Sequence, residues 1–272
     1  MKAWLKQRAS NAARLARATG GFESECPESL LAGQVHVTEI ADVDAALASL
    51  HEGKAELLAE ADAVHPRLAG RGGGLRDIEF RTLTLPDGGN AIVLHLLVDT
   101  CDAMGANLVN TICESLAPSI VARAGGRAAL SILSNLADRS VVTARVRYRL
   151  ADLAASGLTA EEVRDRIVRA SELARADPYR AATHNKGIMN GIDAVAIATG
   201  NDWRALESGA HAYAALDGGY RPLATWSVVG GDLAGELRVP IKVGIVGGTS
   251  TANPAAGLAM RTFSVHESVK GT

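Results

Sequence analysis

The feature that most constrains the fold is the way hydrophobic spacing switches between periods of two and about 3.6 along residues 34–136. Residues 34–40 alternate, with Val35 and Val37 on one face, as a half-buried strand does. Residues 42–61 carry Val43, Leu47, Leu50, Leu57 and Leu58 at helical spacing until His65-Pro66. Alternation returns at 75–85, Pro86-Asp87-Gly88-Gly89 has the chemistry of a hairpin turn, and 91–99 is an apolar strand. A helix over 105–124 and a strand over 127–136 complete a β-α-β-β-α-β order, that of a ferredoxin-like unit. Two helices then cover one face of a four-stranded antiparallel sheet. The predicted fold is α+β: a small ferredoxin-like domain, 30–137, inserted into a larger, mainly helical domain, 1–29 with 138–272.

In the larger domain, residues 1–18 read as a helix ending at Gly20-Gly21. The basic, acid-free segment 1–22 fits either an organelle-targeting peptide or a solvated helix with Trp4, Leu5 and Leu15 inward; the second is preferred. Residues 140–150 alternate. Thr159 and Glu162 make a capping box, and Val163, Ile167 and Leu173 form a stripe to be buried. A helix around 203–215, a hairpin around Gly230-Gly231-Asp232 and a Gly-rich run at 244–249 follow. A small domain inserted into a larger one creates a cleft, a usual place for a ligand.

Aromatic residues are 4% of the chain against 47% apolar, so the core is built of Ala, Val, Leu and Ile. A net charge of −2 argues against a general nucleic-acid binder. Three cysteines without a CxxC indicate reduced thiols in a cytoplasmic protein, and no apolar run approaches the roughly 20 residues of a membrane helix.

The chemistry concentrates in residues 177–203, where Arg180, His184, Asn185, Lys186, Asn190, Asp193, Asn201 and Asp202 stand among small apolar residues. Polar groups in such a setting are costly unless paired or used. One reading is a polar loop and a buried helix with satisfied caps. The preferred reading is a lysine, Lys186, held at the mouth of a buried helix over 188–198, with Asp202 as its carboxylate partner. Residues 102–107, Asp-Ala-Met-Gly-Ala-Asn, lie where an apolar strand gives way to a helix. Helix N-termini bind phosphate, and Gly105 allows close backbone approach; equally, Asp102 serves as an N-cap. Gly72–Gly74 reads as a turn. There is no GxGxxG. His184, Asp193, Asp202 and His211 fit no metal-site spacing, and no metal is expected.

The segments DAMGAN, SNLAD (134–138), DPYRAATHNKGIMNGIDAVAIATGNDWRA and GIVGG together resemble 3-hydroxy-3-methylglutaryl-CoA reductase of the bacterial and archaeal class II, from about residue 15 to 260. The resemblance implies that the small domain binds the nicotinamide cofactor. It implies Lys186 as the catalytic lysine and Asp202 as the aspartate that holds it. Arg180 grips the free carboxylate of the hydroxymethylglutaryl group, and Asn190 and Asn135 line the same pocket. Asp102, Met104, Gly105 and Asn107 become the dinucleotide-binding motif. The implied reaction is a four-electron reduction of HMG-CoA by two NAD(P)H to mevalonate and CoA, or its reverse, in a homodimer.

By register with that family, His65 and Arg67 face the adenosine ribose. With Arg and no acid there, NADPH is favoured over NADH; otherwise Arg67 is an ordinary surface charge. The family's ENVIG-type CoA motif with its catalytic glutamate, and its C-terminal catalytic histidine, have no counterpart in the 272 residues; His266 lies in a tail unlike the family's. Full activity is therefore not expected of the chain alone. Three explanations are weighed: a fragment, a non-catalytic relative that binds NAD(P)H or acyl-CoA, and half of a split enzyme.

Overall fold

The structure is a computed structural model that describes residues 2–154, 157–246 and 253–262. It packs as two compact units, one of residues 1–27, 141–194 and 207–241, the other of 28–140, 195–206 and 242–272.

The second unit contains the ferredoxin-like sheet. Its elements are β2 (Leu31–Thr38), α2 (Val43–Glu52), α3 (Lys54–Val64), α4 (Pro66–Gly70), β3 (Gly74–Thr84), β4 (Asn90–Asp99), α5 (Ala106–Ala124) and β5 (Arg127–Leu133). The strands lie in the order β3-β4-β2-β5, every neighbouring pair antiparallel. Val35 and Val37 of the alternating β2 and Leu94 and Leu96 of β4, which is buried on both faces along most of its length, are fully buried in one core with Leu50, Leu57, Ile112, Leu116 and Ile120 of the helices. Gly33 lets α5 come close, since a Cβ there would lie 2.3 Å from the Cys113 sulfur. Burial pushes the Cys113 thiol up to about 12. The three cysteines form no disulfide.

The helix expected over 42–61 is two helices, α2 and α3, parted at Gly53. A Cβ at Gly53 would fall 2.3 Å from the Arg123 guanidinium, which passes over the joint to pair with Glu56. Gly72–Gly74 is more than a turn: Gly73 is wedged against Leu68, Cys101 and the Asp99 carbonyl, and Gly74 begins β3.

The first unit combines α1 (Lys2–Arg17), α6 (Ala160–Ala176) and most of α7 (Pro178–Ala198) and α8 (Trp203–Ala214) with a second antiparallel sheet. Its strands are β1 (Glu23–Glu25), β6 (Val141–Tyr148), β7 (Ala224–Val229) and β8 (Asp232–Pro240), in the order β1-β6-β8-β7. Leu15, Ala16, Val163 and Ile167 pack with Tyr148, Leu233 and Trp226. The capping box of Thr159 and Glu162 forms as expected. Leu173 is 53% exposed; Ser171 and Ala174 hold the buried positions instead, and the Ser171 hydroxyl accepts the Trp226 N–H at 3.0 Å. Trp4 and Leu5 fall outside the described side chains. A final helix, α9 (Pro254–Thr262), belongs to the second unit.

Candidate active site

α7 begins where the sequence tells it to. The Asp177 carboxylate accepts the Tyr179 N–H at 3.0 Å, and Pro178 occupies the first helical position, where a missing N–H costs nothing. The polar stretch is therefore helical throughout, and Lys186 sits mid-helix rather than at a helix mouth. The buried stripe is Ala181, Asn185, Met189 and Ala196. The expectation that 188–198 is buried holds only for one face: Met189 and Ala196 are buried, while Val195 is 47% and Ile197 61% exposed, because positions 181, 185, 189 and 196 share one face of the helix and 195 and 197 lie off it.

Lys186 stands on the exposed face, its ammonium donating to Asn190 Oδ1 at 2.8 Å one turn on. Gly187 and Gly191 have nothing within 4 Å of where a Cβ would be, which leaves open space beside the ammonium. The turn before Lys186 is anchored. Asn185, fully buried, donates to the Arg221 carbonyl and accepts the Leu223 N–H, both at 2.8 Å. His184 Nε2 lies 3.2 Å from the Ala224 carbonyl, to which it donates. Burial holds this imidazole below its usual range. Arg180 is half-buried on the same helix.

Asp202, expected to partner Lys186, uses Oδ1 as the N-cap of α8, accepting the Arg204 and Ala205 N–H groups at 3.1 and 3.2 Å. The residue before it was not assigned a role by sequence. Asn201 Oδ1 accepts the Gly244 N–H at 2.8 Å, and its amide donates to the Gly244 carbonyl at 3.2 Å and to Thr199 Oγ1 at 3.0 Å. Gly244 in turn lies against the 102–104 loop: a Cβ there would be 2.5 Å from the Met104 nitrogen, and the Ile245 N–H donates to the Asp102 carbonyl at 2.9 Å. Residues 244–245 thus join the Asp102–Met104 loop to the Asn201–Asp202 turn. Gly247, Gly248 and Thr249 lie outside the described residues.

The loop that leads into α5 is shaped by its own side chains. Asp99 Oδ1 accepts the Cys101 N–H at 2.9 Å, and the Thr100 hydroxyl donates to the Ala103 carbonyl at 2.6 Å. The N-cap of α5 is Gly105, in the left-handed region with φ +87°, so Asp102 is not the cap. A Cβ at Gly105 would strike Thr100 Cγ2 at 2.3 Å, so glycine is demanded here by packing as well as by φ. Asp102 points elsewhere: its Oδ2 is shielded from solvent without a hydrogen bond, with the Arg71 guanidinium at 4.0 Å. Met104 is half-buried and Asn107 exposed. His65 forms the joint between α3 and α4, its carbonyl accepting from Leu68 and Ala69 and its Nε2 buried without a partner; Arg67 is exposed beside it. Asn135 is exposed in the loop after β5. Lys242, missed in the sequence, is 8% exposed and donates to the Ser29 carbonyl and hydroxyl at 3.1 and 3.0 Å. Among the described residues no group of three or more His, Cys, Asp or Glu is placed to hold a metal ion, and no helix is long and apolar enough to cross a membrane.

The family model for hydroxymethylglutaryl-coenzyme A reductase matches residues 8–270. The chain belongs to that family. An Archaeoglobus fulgidus 3-hydroxy-3-methylglutaryl-coenzyme A reductase is 45% identical over 259 residues, covering 95% of this chain and 58% of the relative. A probable reductase of Borreliella burgdorferi is 38% identical over 198 residues, 72% of this chain and 45% of its own. Among solved structures, the class II reductase of Streptococcus pneumoniae bound to NADPH superposes with a TM-score of 0.89 at 40% identity, covering 93% of this chain and 61% of that one. The chain therefore spans somewhat more than half the length of the archaeal relative and the pneumococcal structure. The reductase resemblance carried by DAMGAN and THNKG is thereby a family membership, and the ferredoxin-like order read from spacing is the observed one.

Proposed function

We propose that this chain carries the hydride-transfer core of an HMG-CoA reductase, which reduces hydroxymethylglutaryl-CoA to mevalonate and CoA with NAD(P)H, or runs that reaction in reverse. The observation that supports it most is the Lys186 ammonium, oriented by Asn190 on an open helix face whose preceding turn is pinned by Asn185 and His184. A fixed cation aimed at a thioester carbonyl oxygen stabilises the oxyanion that forms as hydride reaches the carbon, and again at the aldehyde stage. Arg180 suits the free carboxylate of the acyl group, which a guanidinium fork can grip in two places. Asn190, which bonds the Lys186 ammonium, is assigned to the same substrate, and Asn135 and Asp202 are carried as further site residues on the family resemblance.

The residues of the 99–107 loop fit a dinucleotide. Asp102 Oδ2 is a shielded acceptor still lacking a hydrogen bond, and the first turn of α5 has no side-chain cap on its N–H groups. Asp102, Met104, Gly105 and Asn107 would hold the cofactor, which supplies a hydride in each of two rounds. His65 and Arg67, with Arg71 nearby in sequence, favour the 2′-phosphate of NADPH over NADH; the pneumococcal relative was solved with NADPH. A homodimer in the cytoplasm completes the proposal.

The test is loss of reduced-nicotinamide absorbance when purified chain meets HMG-CoA and NADPH or NADH, with Lys186→Ala alongside. Turnover that the substitution abolishes is expected if the core is self-sufficient. Turnover indifferent to Lys186→Ala would overturn the assignment. Cofactor binding without any turnover would favour the binding-relative reading.

A further inference from the structure

In the first unit, one short piece of backbone grips the helix turn that leads into Lys186. Asn185 donates to the Arg221 carbonyl and accepts the Leu223 N–H, and His184 donates to the Ala224 carbonyl. Three of the four residues 221–224 thus bond two neighbouring side chains of α7. Asn185 is fully buried, so water cannot replace the two bonds it makes. Lys186, the next residue, takes its place from that turn.

The two ends of this piece are fixed by different means. At its far end Ala224 enters β7 opposite Leu237, and the Arg238 N–H donates to the Leu223 carbonyl at 2.8 Å. Its near end follows Gly218 and Gly219, with φ +82° at Gly218 and nothing within 4 Å of a notional Cβ on either. Two such glycines restrain the chain little, so the first side chain after them decides where it goes. That side chain is Tyr220. Its O–H donates to His211 Nδ1 at 2.6 Å, and His211 Nε2 donates to Glu207 Oε2 at 2.7 Å, one turn earlier on α8. The carboxylate sets the tautomer: with the proton on Nε2, neutral His211 keeps a lone pair on Nδ1 for the phenol. The two rings stack with centroids 6.0 Å apart. The Arg221 N–H adds a bond to the Ala214 carbonyl at 2.8 Å, and the exposed Arg221–Asp217 pair, at 3.7 Å, adds little.

We propose that Tyr220 is a positioning residue for Lys186: tethered to α8 by His211 and Glu207, it fixes the start of the 221–224 segment, and that segment fixes the Asn185 turn from which the lysine projects. The role of Lys186 rests on the reductase reading, whereas the tether stands on its own contacts. A group that acts on a reacting atom has to be held within roughly 0.5 Å of its productive place. Slack at the start of the segment passes straight to Asn185, because both bonds of its amide go to residues 221 and 223. Tyr220 therefore acts on the lysine through Asn185, and the residues that set Tyr220 are His211 and Glu207.

NMR on the whole chain tests this without requiring turnover. Amide hydrogen exchange reports the Leu223 N–H bonded to Asn185, and a carbon-13 label at lysine Cε, assigned by the signal lost in Lys186→Ala, reports the lysine. In Tyr220→Phe, which removes one hydroxyl, and in His211→Ala, the Leu223 amide should exchange about tenfold faster while amides of the β6–β8 ladder keep their rates. The Lys186 ε-carbon should shift in the same variants. The Kd for HMG-CoA should rise roughly three- to tenfold, with the Kd for NADPH unchanged. His211→Asn, which offers a carbonyl oxygen in place of Nδ1, should restore all three readings. An unchanged Leu223 amide in Tyr220→Phe, a Lys186 carbon that ignores a loosened Leu223, or a His211→Asn no better than His211→Ala overturns the proposal. So does a rise in exchange that extends to the β6–β8 ladder, since that is general destabilisation. If the parent binds no HMG-CoA while Leu223 and Lys186 respond as expected, the tether stands and the reductase reading alone is removed.

Discussion

Replacing Gly105 with alanine separates two costs that usually arrive together. The residue has φ +87°, and a Cβ there would lie 2.3 Å from Thr100 Cγ2 and 2.6 Å from Thr100 Cβ. Thr100 cannot step aside, being 1% exposed with its hydroxyl bonded to the Ala103 carbonyl. A left-handed conformation costs a non-glycine residue roughly 1–2 kcal/mol, and forcing extra atoms into a packed site roughly 1–3 more. Gly105→Ala should therefore destabilise by about 2–5 kcal/mol on those two grounds. Gly72 is the control, with φ +78° and nothing within 4 Å of its notional Cβ. Gly72→Ala should cost the backbone part alone, about 1–2 kcal/mol. Urea unfolding of both variants and the parent, followed by circular dichroism, gives the two numbers. If Gly105→Ala is no worse than Gly72→Ala within about 0.5 kcal/mol, the crowding by Thr100 is not what requires glycine, and the account of this loop is wrong.

Other consequences can be checked in the same preparation. Cys26 is exposed while Cys113 is buried with its thiol pushed up to about 12, so a thiol reagent should modify Cys26 in the native protein and reach Cys113 on unfolding. His36, His95 and His184 are all held below the usual imidazole range by burial. Their contribution to stability is present above the unfolded value of about 6.5 and is lost as pH falls through their folded values, so urea midpoints should drop on acidification and His95→Gln should flatten part of that slope. Asp193 has the opposite sign: its folded value is raised, so its contribution is largest in acid and fades as pH rises through about 6. Asn201→Asp removes two amide donors and sets a carboxylate against the Gly244 carbonyl; it should cost roughly 2–4 kcal/mol in urea unfolding and weaken NADPH binding measured by cofactor fluorescence. Arg180→Lys keeps the charge and loses the fork, and should raise the Kd for HMG-CoA by roughly tenfold, read by calorimetry.

What could be read from the chain alone followed from local rules. The small sheet was legible because β2 alternates, so that Val35 and Val37 advertise the period directly, and because β4 is an apolar run set off by a hairpin turn. The capping box at Thr159 was legible because both partners lie within one turn. The split at Gly53 was not, since the Arg123 side chain that packs over the joint comes from seventy residues away. The orientation of α7 was not legible because its buried stripe mixes alanines with Asn185 and Met189, while the apolar Val195 and Ile197 that suggested a core face outward. Within the candidate site, Lys186 could be singled out by its setting, although the partner it bonds is Asn190 rather than the expected Asp202. The role of Asn201 could not, because its partner, Gly244, is an unremarkable glycine until the chain returns to the 102–104 loop.

The Gly244–Ile245 strap has a thermodynamic consequence. It touches the Asp102–Met104 loop on one side and is gripped by Asn201, next to Asp202, on the other. Ordering of either end is then felt at the other through the same few hydrogen bonds. If, as proposed, a dinucleotide fixes the first loop and a substrate binds near Asp202, any coupling between them is reciprocal: each ligand prefers the protein loaded with the other by the same factor. Two binding events that share no atoms would thus be read as one linked equilibrium.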